Sequence, residues 1–184
     1  MAGKYRAFDP KVEVNAETVL GFIQCLRKEE IAPFLAARGL DNVRPGEWYP
    51  LQSWLDVLND LAEDRPGQAM FDFVAVGMKI AEVAPFPPEF DTLPIEKAIT
   101  TTMCDAYYMS HRGGDCGKVG VEFLKRGHLK ITLRVPYPDD LMYGSFHGFS
   151  RRFLPGKHVT VYYDPDIPRR EQGGEQTIVH LTWE

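Results

Sequence analysis

Residues 117–153, GKVGVEFLKRGHLKITLRVPYPDDLMYGSFHGFSRRF, decide how the chain is read. Val119, Val121 and Phe123 alternate with polar or small neighbours, and so do Leu129, Ile131, Leu133 and Val135. Apolar residues at a period of two mark strands that bury one face. The two runs meet at Arg126-Gly127, so the pattern predicts a hairpin. Pro136 and Pro138 have no N–H to give a ladder, and the second strand should stop before them. A helix carrying Gly144 and Gly148 should follow. Asp139 or Asp140 is expected to cap it, because a carboxylate oxygen can accept an unpaired backbone N–H of the first turn.

Working outward toward the C-terminus, His158–Tyr163 and Thr177–Trp183 read as two more strands, with Pro165, Pro168 and Gly173-Gly174 between them. Toward the N-terminus the period changes to that of helices. Val19, Leu20, Ile23 and Leu26 share one face, with Asn15 as the expected cap. Further helices are expected over about 28–38, stopped by Gly39, and over about 51–64, with Trp54, Leu55, Leu58 and Leu61 as its stripe. Two more follow, over about 68–83 and from Leu93-Pro94 toward Tyr107, with the prolines at 85, 87 and 88 forcing a loop between them. Residues 1–15 read as a polar lead-in, 16–112 as mainly helical and 117–184 as mainly sheet. Helices first and strands second make an α+β arrangement: an N-terminal helical half, then an antiparallel sheet of about four strands with one inserted helix. The 184 residues fit one domain.

Composition narrows the function classes. The chain is 44% hydrophobic and 26% charged, with a net charge of −5, which argues against a nucleic-acid-binding face. No apolar run reaches a bilayer span and the N-terminus has no signal-peptide core, so a cytoplasmic protein is expected. Cys25, Cys104 and Cys116 are too few and too widely spaced for a disulfide framework or a zinc site.

The element order resembles the ligand-binding superfamily of nitric-oxide signalling and Golgi transport. It rests on helices with a Trp48-Tyr49-Pro50 motif, a tyrosine-rich helix end, a hairpin, Pro136-Tyr137-Pro138 with a helix, and two last strands ending in Trp183. That group includes haem nitric-oxide/oxygen-binding domains, 4-vinyl-reductase-type sensor domains and transport-particle subunits. Tyr108-Met-Ser110-His-Arg112 has the Tyr-x-Ser-x-Arg form that implies, by this resemblance, a grip on haem propionates. An arginine fork and two hydroxyls suit a carboxylate. The resemblance also implies an axial histidine on an earlier helix, but Met78 and Lys79 stand there, and all five histidines come after the helical half. The expectation is therefore no cofactor, with a haem-based gas sensor as the alternative. The cysteine-bound zinc of the 4-vinyl-reductase type is not expected, because the last strand has no cysteine.

The sequence reading is then a non-catalytic sensor for a small hydrophobic or aromatic molecule, signalling through a homodimer or a partner protein. Trp54, Phe71 and Met78 are its expected walls, Tyr108, Ser110 and Arg112 its polar anchors, and His147 a further ligand-facing residue. A transport-particle-like assembly subunit is the next alternative, and an enzyme using Cys104 or His147 the last.

Overall fold

A computed structural model describes residues 4–64, 69–84 and 92–184. Side chains at 64, 69–72 and 101–103 lie outside that description. The expected turn at Pro66-Gly67 and the proline loop at 85–88 also fall outside the described residues.

The C-terminal half follows its pattern. β4 (Lys118–Lys125) and β5 (His128–Arg134) form the hairpin, and β7 (Thr177–Trp183) and β6 (Val159–Tyr163) extend it in the order β4-β5-β7-β6, all antiparallel. Leu129, Ile131, Leu133, Val161, Val179 and Leu181 put one face into the core. Between β5 and β6 runs α7 (Asp139–Phe153), whose Phe146, Phe149 and Phe153 are buried.

The helical half supplies α1 (Ala16–Ile23), α2 (Lys28–Ala37), α3 (Leu51–Asp64) and α4 (Ala69–Val83). Asn15 caps α1 as expected, accepting the Thr18 N–H at 3.0 Å. The fifth expected helix is a composite. A turn of α-helix, α5 (Ile95–Lys97), opens into a π-helical segment (Ala98–Met103) and closes as α6 (Cys104–Met109). Among the described residues no helix is long and apolar enough to cross a membrane.

Three features depart from the sequence expectation. The lead-in is not loose: Tyr5, Val12 and Val14 are buried. Its residues Glu13–Asn15 form β1, which joins β2 (Trp48–Pro50) and β3 (His111–Arg112) in a second antiparallel sheet of order β2-β1-β3. Asp139 and Asp140 do not cap α7, which starts after Pro138 with no side-chain cap. Both carboxylates instead accept bonds from more distant chain. Lastly, Gly144 and Gly148 bring α7 against α4, a close packing that the local sequence does not specify. A Cβ at Gly144 would stand 2.2 Å from the Val74 carbonyl oxygen, one at Gly148 2.6 Å from that of Met78, and one at Gly77 2.2 Å from that of Leu141. Only residues without a side chain let these backbones meet.

Candidate functional site

The two motifs that carried the resemblance meet in the small sheet. Arg112 ends β3, and its Nε donates to Glu13 on the neighbouring β1 at 2.6 Å. The same guanidinium lies 4.4 Å from the Trp48 ring centre on β2. Tyr108, one turn earlier on α6, accepts the Val119 N–H of β4 at 3.1 Å. Ser110 returns its hydroxyl to the Ala106 carbonyl at 2.7 Å, while its own carbonyl accepts from Asn15 at 3.0 Å. These three residues thus bind α6 and the small sheet to the edge of the large one, and at Arg112 the bonded atom is Nε.

His111, between Ser110 and Arg112, is 8% exposed and fully bonded. Nδ1 lies 2.7 Å from the Tyr107 carbonyl, which can only accept, so Nδ1 carries the proton and Nε2 accepts from the Tyr137 hydroxyl at 2.7 Å. Burial pushes its pKa below the ordinary histidine value, although the bond to Tyr107 opposes this. Tyr107 and Tyr137 are held protonated, both mainly by burial.

The other expected site residues are not gathered at one point. Trp54 is 1% exposed and meets Phe22 edge-on at 5.0 Å, as a core side chain does. The Phe71 side chain lies outside the described residues. Met78 is half-buried on α4 where α7 crosses. His147 is on α7, and its Nδ1 is buried with no hydrogen-bond partner among the described residues. Burial, then the nearby Arg151, pushes its pKa down.

A cavity of about 260 Å³ opens elsewhere, lined by Lys4, Tyr5, Asn59, Phe73, Asp140 and Glu171 together with Ala62 and Glu63. Five segments build it. Asn59 on α3 clamps the N-terminal segment by accepting the Tyr5 N–H at 2.8 Å and donating to the Tyr5 carbonyl at 2.9 Å. Tyr5 meets Phe73 of α4 edge-on at 6.1 Å. Asp140, in the first turn of α7, accepts from the Tyr163 hydroxyl at 2.7 Å and from Arg169 at 3.2 Å. Its neighbour Asp139 accepts from Thr177 at 2.6 Å, and burial pushes its carboxyl above the usual range. Lys4 closes the ring on Glu171. Burial and then the negative charges of Glu171, Asp140 and Asp139 keep the Tyr5 phenol protonated. With five charged or amide side chains in its wall, the cavity is smaller and more polar than the apolar pockets that hold most small molecules.

Sequence reasoning missed this cavity. Its residues are spread from position 4 to position 171, and of them the sequence reading singled out only Asp140, as a helix cap. The enzyme reading gains nothing. Burial and Asp105 push the Cys104 thiol up, the opposite of what a thiolate nucleophile needs. Among the described residues no three histidine, cysteine or acidic side chains stand where they could hold a metal ion.

No family profile matches the chain, and no curated protein matches it. Solved structures do share its fold. One is an oxygen-binding H-NOX domain related to soluble guanylate cyclases, in its oxygen complex. It is 14% identical, covers 92% of this chain and 95% of its own, and has a TM-score of 0.69. A structure described as probing the function of haem distortion in the H-NOX family is likewise 14% identical over 92% and 95%, with a TM-score of 0.70. An Fe(II) unliganded H-NOX mutant from K. algicida is 10% identical over 92% and 96%, with a TM-score of 0.65. The fold is therefore H-NOX-like along nearly the whole chain. This corrects the expectation of no cofactor, because structures that share the fold are described by haem distortion, by an Fe(II) state and by bound oxygen.

Proposed function

We propose that this chain is a non-catalytic sensor domain of the H-NOX fold whose ligand is a gas carried on haem, rather than a free aromatic molecule. The correspondence of fold over 92% of the chain with haem domains, one of them in complex with oxygen, supports this reading. The Tyr108–Arg112 stretch adds to it, since it leads from α6 into the small sheet with two hydroxyls and a guanidinium.

The residues present do not fit a haem held through a helix histidine. α4 offers Met78 and Lys79 where the resemblance sets the axial ligand. The Lys79 ammonium lies 3.6 Å from Glu82, while the Arg112 bond to Glu13 is made by Nε. No step of sensing is therefore derived through the iron. What the chain's own residues do is hold a frame: α4 is fixed on α7 at the glycine crossing, and α6 is fixed on β4 by the Tyr108 phenol.

The test is to express the chain with haem precursor supplied, purify it, and record its absorption spectrum and haem content. A Soret band that shifts on addition of nitric oxide or carbon monoxide is the expected result. A colourless protein that also fails to take up haemin in solution overturns the reading.

A further inference from the structure

The end of the large sheet carries a feature that neither the core nor the sensor reading uses. Residues 122–126 at the β4–β5 hairpin are five consecutive exposed residues. Two of them are large and apolar: Phe123 is 52% exposed and Leu124 44%. In a regular strand these neighbours would point to opposite faces, and one would be covered. Here the register slips, with Phe123 opposite Leu129 but Lys125 opposite His128, so Leu124 is the extra residue of a β-bulge. A bulge bends its strand and re-aims side chains, and this one leaves both apolar groups in water beside the turn.

Cations surround them. Lys125 ends β4 and Arg126 opens the turn, and neither has an ion-pair partner among the described residues. Lys157 and His158, just before β6, are exposed at the same end, which Trp183 joins to the turn through its bond to the Gly127 carbonyl, and exposed Glu184 lies there too, its N–H on the His158 carbonyl. Glu122 lies 4.0 Å from Lys130. In a chain of net charge −5, this end carries Lys125, Arg126, Lys130 and Lys157 against Glu122 and Glu184, a local surplus of positive charge.

We propose that the 122–126 hairpin end docks on an anionic lipid surface, with Phe123 and Leu124 entering the interface and Lys125 and Arg126 at the level of the headgroup phosphates. Two adjacent apolar side chains are too little for the core of a stable protein interface, which takes on the order of 800 Å² from each partner. They suit an interfacial wedge, in which long cationic side chains keep their charge at the polar boundary while apolar groups go deeper. Charge complementarity supplies the rest, because basic residues near an anionic leaflet are drawn to it within a Debye length.

The experiment is co-sedimentation of the full chain with vesicles of phosphatidylcholine alone and with one third phosphatidylglycerol, at low and high salt. Binding to the anionic vesicles only, reversed by salt, is expected. K125E/R126E should weaken it by about tenfold or more, since each basic residue near an anionic surface contributes on the order of 1 kcal/mol. F123S/L124S should weaken it at low salt as well. All four positions are exposed, and circular dichroism and thermal melting should match the parent protein. Failure to bind anionic vesicles at low salt overturns the proposal and leaves the hairpin to a protein partner. Binding undiminished in K125E/R126E overturns it too.

Discussion

The imidazole of His111 lies with Nε2 2.7 Å from the Tyr137 hydroxyl, joining the Tyr-x-Ser-x-Arg stretch to the Pro-Tyr-Pro break through the core. Removing one partner leaves the other buried without a bond, which costs about 1–3 kcal/mol. Y137F should lower the unfolding free energy by about that amount, and H111A by more because it also leaves a void. Urea denaturation at pH 7.5 measures both.

The same contact sets a pH dependence. Burial depresses the His111 pKa in the folded state, so the unfolded chain binds a proton more readily. The stabilisation is complete above the unfolded value of about 6.5 and is lost as pH falls from there through the folded value. His128 and His147 are also shifted down and act with the same sign. The urea midpoint should fall between pH 7.5 and 5.5, and H111N should flatten that slope. An unchanged slope in H111N would assign the dependence to the other two.

At the helix crossing, the Gly144 Cα faces the Val74 backbone, which has no side-chain end that can move aside. G144A should therefore force α4 and α7 apart and cost about 1–3 kcal/mol, as overpacking does. G21A is the control: a Cβ there meets nothing within 4 Å, and helix propensity should make it neutral or stabilising. Equal melting temperatures for the two variants would contradict the tight crossing.

These glycines show how far the sequence could be read. Gly144 and Gly148 were visible as small residues on a helix, but which element they admit depends on α4, a contact between residues 77 and 144 that no local pattern records. The hairpin, α7, β6 and β7 were legible because each is long enough to repeat its apolar period. The small sheet was not, since β1 and β2 have three residues each and β3 two, too short for any period. Asp139 and Asp140 had the local chemistry of helix caps. Burial beside Thr177, Tyr163 and Arg169, some 23 to 38 positions away, gave them other partners. The cavity was illegible for the same reason, being assembled from five distant segments.

Asn59 is the residue on which that cavity depends. Its amide pairs both ways with the Tyr5 backbone, and it is 6% exposed. N59A leaves the Tyr5 N–H without its acceptor, and the Tyr5 carbonyl keeps only a 3.4 Å contact from Gln52. A loss of about 1–3 kcal/mol is expected, along with faster cleavage of the N-terminal segment by a protease at low concentration. N59D keeps an acceptor for the Tyr5 N–H but sets a carboxylate oxygen against the Tyr5 carbonyl and beside Asp140 and Glu171, and should be no more stable than N59A. If N59A is cleaved no faster than the parent, Tyr5 is held by its ring packing on Phe73 rather than by this amide.

Arg112 separates the structural from the sensing role of its stretch. Its ion pair with Glu13 is half in solvent, with the side chains 53% and 35% exposed, so the pair itself contributes about 0.2–1 kcal/mol at most. The stacking on Trp48 adds an amount of similar size. R112A should therefore melt within a few degrees of the parent protein when no ligand is present. If the stretch anchors a carboxylate-bearing cofactor, that same variant should retain much less haem after gel filtration, because a guanidinium fork has no replacement among Tyr108 and Ser110. R112K keeps the charge but not the fork, and should recover only part of the loss. A variant that melts far below the parent would instead make Arg112 a structural residue. Equal haem retention in parent and R112A would remove this stretch from the binding site while leaving the fold untouched.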